Sequence, residues 1–458
     1  MKYKILFIII FLLGFGVRLY KISSPIADWH SWRQADTSSV TRNFVKYGID
    51  VLHPRFDDFS DTSGKGLFNP NGYRFVEFPI FNLIHYLLFS TFGLFTLETW
   101  GRLTSMFCAL VSSVLIYMIL RRKAGQMAGL LGMGFFLFLP YNIFFTRTIL
   151  PESLMVTLSL TALLLFDYKK IYMSAIFSAL AVLVKPVALF LLIPLFWQWW
   201  QTYKLQLFKL PVFWLWNLIL FVPFLLWRMW EAQYPMGVPA NIWLLNGNGI
   251  RFKGAFLQWI FGERIGHLIL GSWGIFPLLE GLQKINLYWF TWILGALLYL
   301  FTFATGNVHH DYYQIPIIPI ISILLALGVA KANTIYKKIL MLVCVLFMFA
   351  FSWYEVRGRY QINHYEIVNA GHAVDRLTPK EAIILAPYNG DTAFLYQTNR
   401  RGFPFVYFPV KDFIDNYGVT YYVSVNYDTL TREVMNKYTV VEQNPDFVIV
   451  KLEELQRL

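Results

Sequence analysis

The chain has little charge and almost no cysteine for its size. Only 14% of its 458 residues are charged and 57% are hydrophobic, whereas soluble globular domains carry about 25% charged and about 45–50% apolar residues. A soluble body of this length needs charge over its surface, so the shortage excludes a soluble nucleotide-binding enzyme and a disordered protein. Cys108 and Cys344 both lie in apolar runs and predict neither a disulfide scaffold nor a metal-binding pair.

Motifs for nucleotide binding are missing too. The chain contains neither a P-loop nor a G-x-G-x-x-G turn, so a nucleotide or nucleotide-sugar has no visible binding site. The net charge of +12 is large, but the lysines and arginines lie between hydrophobic runs and do not form one basic face. We therefore expect no nucleic-acid partner.

Aromatic residues and long apolar runs are abundant instead. Aromatic residues make up 19% of the chain, with 16 Trp and 27 Tyr, which is typical of proteins that meet lipid headgroups. The first run, Ile5 to about Tyr20, follows Lys2 and Lys4. It fits a cleaved signal peptide or an uncleaved anchor, and Arg18 with the lack of a small-residue cleavage site favours the anchor. After a polar stretch at 21–77, apolar runs follow at about 78–95, 101–120, 124–145, 153–167, 171–184, 187–200, 208–230, 265–281, 285–305, 312–330 and 337–353.

The basic residues between these runs indicate the topology. All basic clusters fall on one side of the membrane only if the run at 78–95 does not cross, which its Pro79, Asn82 and His85 permit for an interfacial or re-entrant helix. The sequence then predicts about 11 crossings, with the N-terminus inside and the C-terminus outside. The clusters are Arg121-Arg122-Lys123, Lys169-Lys170, Lys204 to Lys209, Lys284, and Lys331 with Lys337-Lys338.

Three large pieces lie outside in this topology: residues 21–77, residues 231–264 and everything after Tyr354. The composition of the last piece changes to alternating, β-rich segments, so we expect a small α/β domain over 354–458 and a membrane body over 1–353 that carries the catalytic loop. The predicted strands and helix of this domain are Ala382–Pro387, Gly402–Phe408, Val419–Val425, Phe447–Leu452 and the helical stretch Asp428–Lys437.

The first outer loop carries an acid on an apolar stripe. A spacing of four residues aligns Trp32, Asp36, Val40 and Phe44 on one face of a predicted interfacial helix. A carboxylate on a buried face costs roughly several kcal/mol unless it is paired or used. Asp36 is therefore a candidate base, and the alternative is a plain ion pair with Arg33, one turn back.

Other acids of this loop compete with Asp36 for a role. Asp28, near the end of the first run, is the rival carboxylate. Asp57, Asp58 and Asp61 are interpreted as solvated loop acids, because their spacing matches no strong metal-ligand motif. Glu77 precedes the run at 78–95 and fits either a helix-start acid or a substrate contact.

Further charged groups lie at the outer ends of later runs. Arg147 and Glu152 would lie at membrane depth, where charges are costly and thus functional by default, although a structural ion pair between them is the alternative. Lys185 precedes a proline between two runs and would snorkel or meet a lipid phosphate. His310 and Tyr312 open another run, and hydrogen bonding to a phosphate suits them better than a metal site.

An acid beside several cations suits one reaction class. The acid takes a proton from an acceptor hydroxyl while the cations stabilise a departing phosphate. Because nucleotides have no visible site, a lipid-linked phosphate donor fits best.

The order of these features resembles the integral-membrane C-type glycosyltransferases, in particular the bacterial branch of glycosyltransferase family 39. That family includes protein O-mannosyltransferases and the lipid A aminoarabinose transferase. The resemblance spans nearly the whole membrane body and rests on His30 to Thr37, Glu77 to Asn82, Arg102-Leu103, Thr146 to Glu152, Lys185-Pro186 and His310 to Pro316.

The resemblance implies a polyprenyl-phosphate-sugar donor, an acceptor on the outer face, inversion at the anomeric carbon and an acidic base in the first loop. Many members place an Asp-Glu pair straight after the first span, where this chain has Asp28-Trp29-His30, so Asp36 and Asp28 both stay open, with Asp36 preferred. At the position of Glu77 some relatives carry a lysine. Members of this type do not all need a metal, so no cofactor is expected; a divalent metal is compatible but not indicated.

The sequence thus predicts an α-helical polytopic membrane glycosyltransferase of the bacterial cytoplasmic membrane. Its site and its C-terminal domain would be extracytoplasmic, and its acceptor a lipid, a glycan or a protein. Asp36 or Asp28 is predicted to act as base, and Glu77 and Glu152 to contact the substrate. Arg33 would orient the base and also belong to the residues predicted at the donor phosphate, which are Arg33, Arg147, Lys185, His310 and Tyr312.

Two alternatives remain. A polysaccharide ligase or polymerase that uses diphosphate-linked glycans would need more outer cations than Arg251, Lys253 and Arg264 in the loop 231–264. A flippase or transporter would place its ionisable groups at the bilayer midplane.

Overall fold

The computed structural model describes residues 1–283 and 285–454. These residues form two compact units, each assembled from separate segments of the chain. The first, here called the helical unit, comprises Met1–Ile22, Arg102–Trp230 and Asn241–Gly358. The second, the mixed unit, comprises Ser23–Gly101, Glu231–Ala240 and the described residues from Arg359 on. Most of the segment 21–77, which the sequence division assigned to the membrane body, thus groups with the C-terminal segment.

Apolar helices build the helical unit. The helices Ile275–Leu282 and Ile318–Ala330 contact each other closely at two glycines. A Cβ on Gly281 would lie 2.1 Å from the Leu324 carbonyl oxygen, and a Cβ on Gly328 would lie 2.0 Å from the Pro277 carbonyl oxygen. Such contact between helix backbones is typical of membrane proteins. The α-helices that lie wholly or mostly in this unit are Lys2–Arg18, Leu97–Ala124, Gln126–Phe138, Pro140–Phe145, Glu152–Asp167, Ile171–Val184, Ala188–Leu191, Ile193–Tyr203, Pro211–Glu231, Trp243–Asn246, Ala255–Leu257, Ile275–Leu282, Leu287–Thr302, Ala304–His309, Ile318–Ala330 and Ile335–Val356, with a π-helix at Gln258–Ile269.

Several helices are apolar enough to cross a bilayer. Within the described residues, four have the length and the hydropathy to do so: Leu97–Ala124, Pro211–Glu231, Asp311–Ala330 and Ile335–Tyr360. Shorter apolar helices, such as Gln126–Phe138 and Ile171–Val184, add to them. The chain is therefore a multi-pass membrane protein, and the number of about 11 crossings remains a prediction.

The run at 78–95 forms the helix Ile80–Phe92, which belongs to the mixed unit. Its 13 residues extend about 20 Å at 1.5 Å per residue, short of the hydrocarbon core of about 30 Å. It ends at Gly93, whose φ of 58° places that residue in the left-handed region. This length suits the interpretation that the segment does not cross.

Basic helix ends gather at one place in the helical unit. Lys123, Lys169, Thr202 and Asn286 line a single polar cleft of about 360 Å³. These residues lie at or near the ends of four helices, so the ends that carry three of the predicted inner clusters are neighbours, as the positive-inside interpretation requires. Lys284, which belongs to the same prediction, lies outside the described residues.

The mixed unit contains a five-stranded sheet. Its strands are β1 Ile383–Leu385, β2 Arg401–Phe403, β3 Tyr421–Ser424, β4 Tyr438–Gln443 and β5 Val448–Glu454, in the order β2-β1-β3-β5-β4. The central strand β3 is parallel to β1 and antiparallel to β5. The α-helices of this unit are Ser31–Tyr47, Ile80–Phe92, Glu366–Leu377, Thr392–Gln397, Val410–Tyr417 and Thr429–Lys437.

Four of the strands and the helix Thr429–Lys437 lie within or close to their predicted ranges. Asp428 caps that helix by accepting from the Thr431 backbone N–H at 2.8 Å. The strand β4 was not predicted from the sequence. This strand follows the helix directly, without a turn residue, and most of its side chains are exposed at the sheet edge, so its hydrophobic pattern is weak.

Residues 57–59, in the segment 21–77, pair with the edge strand β2. The Phe59 N–H donates to the Gly402 carbonyl at 2.8 Å, and the Gly402 N–H donates to the Asp57 carbonyl at 2.9 Å. Gly402 is required here, because a Cβ would lie 1.8 Å from the Ile384 carbonyl oxygen of β1. Phe59 therefore packs into the core of the sheet with Leu385 and Phe403.

Candidate functional site

Asp36 lies in the middle of the predicted helix and is held on both carboxylate oxygens. The helix Ser31–Tyr47 begins after His30, which adopts a left-handed φ of 55°, and ends at Gly48. The Asp36 side chain is buried. Its Oδ2 accepts from the Arg74 guanidinium at 2.5 Å, and its Oδ1 accepts from the Thr392 hydroxyl at 2.7 Å. Charge-assisted bonds of this kind fix the direction of a carboxylate.

The arginine partners differ from the expected ones. Arg33, expected to pair with Asp36 within the helix, forms an ion pair with Glu77. Asp36 pairs with Arg74, which is 38 residues further along the chain. A segment that folds back onto the helix can bring a better-aligned partner to the Asp36 carboxylate than a residue one turn away on the same helix.

Asp28, the rival acid, is also buried. Its Oδ1 accepts from the Gln34 side-chain amide at 2.7 Å. Both acids belong to the mixed unit, and both are oriented by neighbouring polar groups. The choice between them as base stays a prediction.

The charge of Asp36 interacts with two further carboxylates, those of Asp58 and Asp391. Burial raises the pKa of Asp58 to about 6, against hydrogen bonds from Ser60 that lower it, and the negative charge of Asp36 adds to the rise. Burial likewise raises the pKa of Asp391 to about 6, against the Ala393 N–H bond, and Asp36 again contributes. Acids are therefore concentrated around one position of the mixed unit.

The expectation that Asp57 and Asp58 are solvated loop acids was wrong. Both are only 4% exposed. Asp57 forms an ion pair with Arg42, and Asp58 accepts from the Ser60 backbone N–H and hydroxyl. They are buried because the backbone of the loop pairs with Gly402 at the edge of the sheet, a contact that their spacing cannot reveal.

Sequence reasoning also missed Asp391 and Thr392. Asp391 caps the helix Thr392–Gln397, accepting from the Ala393 N–H at 2.7 Å. An Asp-Thr pair at a helix start is a visible sequence signal. Nothing in it indicates Asp36 as a neighbour, because the two helices that carry Thr392 and Asp36 are 356 residues apart in the chain.

The second cluster, in the helical unit, is built around Lys185. This residue follows the helix Ile171–Val184 in an extended conformation. Its ammonium forms an ion pair with Glu152, the first residue of the helix Glu152–Asp167. The Lys185 Nζ also lies 6.0 Å from the centroid of the Tyr312 ring and 5.9 Å from that of Tyr313, within range of cation–π attraction.

His310 lies against the same tyrosines. Its ring centroid is 5.6 Å from that of Tyr312 and 5.9 Å from that of Trp243. The Tyr141 hydroxyl donates to the Asp311 carbonyl at 2.6 Å and holds this turn. The structure thus brings together Lys185, His310 and Tyr312, three of the residues predicted to contact phosphate.

Arg147 is buried and donates to the Lys21 carbonyl at 2.6 Å. Glu152 forms its ion pair with Lys185 and not with Arg147, the partner that the sequence suggested as an alternative. Among the residues that the structure describes, no group of three or more His, Cys, Asp or Glu side chains is arranged to hold a metal ion.

Solved membrane enzymes share this fold over nearly the whole chain. ArnT from Cupriavidus metallidurans in the apo state matches with a TM-score of 0.69 and 14% identity, covering 98% of this chain and 97% of that one. ArnT bound to undecaprenyl phosphate matches with a TM-score of 0.66 and 14% identity, covering 98% of both chains. The apo oligosaccharyltransferase of Archaeoglobus fulgidus matches with a TM-score of 0.59 and 9% identity, over 92% of this chain and 69% of that one.

No protein-family model and no curated protein sequence matches the chain. At such low identity the likeness concerns the fold. ArnT and the oligosaccharyltransferase are glycosyltransferases with the C-type fold. The chain has this fold together with a small C-terminal sheet, which confirms the fold class that the sequence predicted.

Proposed function

We propose that the protein is a glycosyltransferase that moves a sugar from a polyprenyl-phosphate-linked donor to an acceptor hydroxyl. The fold supports this proposal, since ArnT with the same fold has been solved with undecaprenyl phosphate bound. The observation that carries the proposal is the buried Asp36, whose two oxygens are both oriented by hydrogen bonds. A carboxylate offers about four acceptor positions, so Asp36 retains capacity for an incoming hydroxyl.

Asp36 acts as general base in this mechanism. It accepts the proton of the acceptor hydroxyl while the acceptor oxygen attacks C1 of the sugar, and the bond from C1 to the phosphate oxygen breaks. Attack from the face opposite the phosphate inverts the anomeric centre, and polyprenyl phosphate leaves with the electron pair. Arg74 and Thr392 keep the carboxylate oriented. Arg33, on the same helix as Asp36, forms an ion pair with Glu77, which precedes the helix Ile80–Phe92.

The cluster around Lys185 would bind the donor phosphate. An ammonium group and a phenol hydroxyl are donors suited to the negative charge that develops on the leaving phosphate. Lys185 and Tyr312 supply them, and His310 is adjacent. Glu152 holds Lys185 in place through their ion pair, while Arg147 would add a second cation. No cofactor enters this scheme.

We place the reaction at the outer face of a bacterial cytoplasmic membrane. Support comes from the grouping of basic helix ends in the helical unit, which the positive-inside rule assigns to the inner side. The acceptor is a lipid, a glycan or a protein.

A direct test is transfer of radiolabelled sugar from synthetic polyprenyl-phosphate-sugars by the purified protein in nanodiscs. Lipid analysis of a deletion strain identifies the donor, because the unused polyprenyl-phosphate-sugar should accumulate. We expect Asp36→Asn to reduce transfer by about 10²- to 10⁴-fold and Asp28→Asn to reduce it less. Full activity in both variants would refute the assignment of the base, and flux of the donor across vesicles without any transfer would favour a flippase.

A further inference from the structure

A cleft of about 400 Å³ in the mixed unit is rich in aromatic rings. Three segments build it: the first outer loop, the stretch after β2, and the end of the helix Val410–Tyr417. Its aromatic lining consists of Phe68, Phe405, Tyr407, Phe408 and Tyr417, and Ser60 and Asp61 supply its polar lining.

Most of these rings are exposed. Phe405 is 48% exposed, Phe408 44%, Tyr407 38% and Phe68 37%. Burying side chains of this kind is favourable, and soluble surfaces rarely leave several adjacent rings uncovered. Such a group of rings marks a binding surface.

The rings offer flat faces and free hydroxyls together. The planes of Phe405 and Tyr407 are within 14° of parallel, and those of Phe408 and Tyr417 within 9°. The hydroxyls of Tyr407 and Tyr417 make no hydrogen bond to any residue in 1–283 or 285–454. A pyranose ring matches both features, because its C–H faces stack on aromatic rings and its hydroxyls bond to phenols. An acyl chain would use only the rings.

The polar side of the cleft connects to the carboxylates around Asp36. Ser60, which lines the cleft, donates its hydroxyl to Asp58 at 2.6 Å. Asp58 in turn lies close enough to Asp36 for the two charges to interact. Asp61 lines the cleft together with Tyr407. A molecule in the cleft would therefore lie beside Asp61 and be one hydrogen bond away from Asp58, through Ser60.

We infer that this cleft binds a saccharide, and that it is the subsite for a glycan portion of the acceptor. The role as acceptor subsite depends on the proposed function, whereas saccharide binding does not. Tyr407 and Tyr417 are the specificity-determining residues, through their rings and their hydroxyls. The polar lining at Ser60 directs the bound sugar toward the acids.

The test is binding of the full-length protein in nanodiscs to an array of bacterial envelope glycans, without any donor. We expect at least one glycan to bind. Tyr407→Ala and Tyr417→Ala should each weaken that binding roughly two- to tenfold, and Tyr407→Phe should weaken it less because the ring remains. Tyr365→Ala is the matched control, since Tyr365 is 52% exposed in the same unit and does not line the cleft.

Failure of the two proposals can be told apart. Glycan binding that depends on Tyr407, in a protein that transfers no sugar, would support the cleft and refute the transferase. Transfer without binding to any glycan would refute the cleft alone. Binding that is unchanged in both alanine variants, or selective capture of peptides or of lipid vesicles in place of glycans, would also overturn it. Thermal unfolding of each variant verifies that it is folded.

Discussion

The cluster around Asp36 and the cluster around Lys185 position opposite charges. In the mixed unit an anion is positioned: Asp36 is held by an arginine and a threonine, and further acids lie near it. In the helical unit a cation is positioned: Lys185 is held by one glutamate and lies near two tyrosine rings. Sugar transfer from a lipid phosphate needs one group of each kind, a base for the acceptor and a cation for the leaving group. Because different residues carry the two tasks, we expect that substitutions can impair them separately.

After the loss of the base in Asp36→Asn, the largest effect is expected at the positioned cation. Lys185→Met should reduce transfer by about 10²- to 10³-fold, because it removes a charge that stabilises the departing phosphate. Binding of polyprenyl phosphate, measured by native mass spectrometry, should weaken as well. Unchanged binding of polyprenyl phosphate in Lys185→Met would contradict a role of Lys185 at the donor phosphate.

A double variant separates catalysis from folding at this position. Glu152→Gln with Lys185→Met removes both charges of the pair and so avoids leaving one buried alone. If Lys185 acts on the phosphate, the double variant stays as inactive as Lys185→Met. Recovery of transfer in the double variant would show that the ion pair is only structural.

The next effect is expected at the arginine that positions the anion. Arg74→Met should lower kcat by about 10- to 100-fold while leaving KM for the donor nearly unchanged, since Arg74 acts through Asp36. Arg74→Lys should recover part of the rate. A rise in KM for the donor with unchanged kcat would assign Arg74 to substrate binding.

A smaller effect is expected at Thr392. Thr392→Val keeps the shape of the side chain and removes a hydrogen bond to Asp36, with a contribution of about 1 kcal/mol. We expect kcat to fall about fivefold and Thr392→Ser to restore it. Equal loss in the valine and serine variants would indicate that the hydroxyl has no part in positioning Asp36.

The smallest effect concerns stability and its pH dependence at Asp58. The pKa of this carboxyl, raised by burial to about 6, means that the folded protein loses stability as the pH rises from about 4 through 6. Asp58→Asn should therefore stabilise the protein at pH 8 by on the order of 2 kcal/mol, and hardly at pH 4. Thermal unfolding at the two pH values measures this.

Asp61 provides the contrasting control. Burial raises its pKa, but hydrogen bonds from Ser63 and Gly66 outweigh burial, and the pKa is lowered overall. Its charged form therefore stabilises the fold at pH 8, and this contribution is lost only as the pH falls below about 4, so Asp61→Asn should destabilise the protein at pH 8 more than at about pH 2. The same sign of pH dependence in both variants would contradict the burial of Asp58.

Much of the framework could be predicted because it depends on local patterns. The helix around Asp36 follows from apolar residues spaced at four, and β1, β3 and β5 follow from short apolar runs. The ends of apolar runs and the order of motifs along the chain indicate three residues for the donor phosphate: Lys185, His310 and Tyr312. β4 escaped prediction because an exposed edge strand needs no hydrophobic face.

The partners of the charged groups could not be predicted. Arg74 and Thr392 reach Asp36 from 38 and 356 residues away, and no local spacing encodes such distances. The burial of Asp57 and Asp58 likewise depends on the pairing of their loop with Gly402.

Local sequence patterns are enough to predict a helical, membrane-embedded protein with a small α/β segment after it, and to indicate its candidate ionisable residues. Hydrophobic periodicity and charge placement suffice for this, because they act within one helix or strand. The arginine that holds Asp36, the acid that holds Lys185 and the identity of the buried acids follow from the folded arrangement of the chain. Hydrogen bonds and ion pairs act within a few ångströms, so the folded path of the backbone selects their partners.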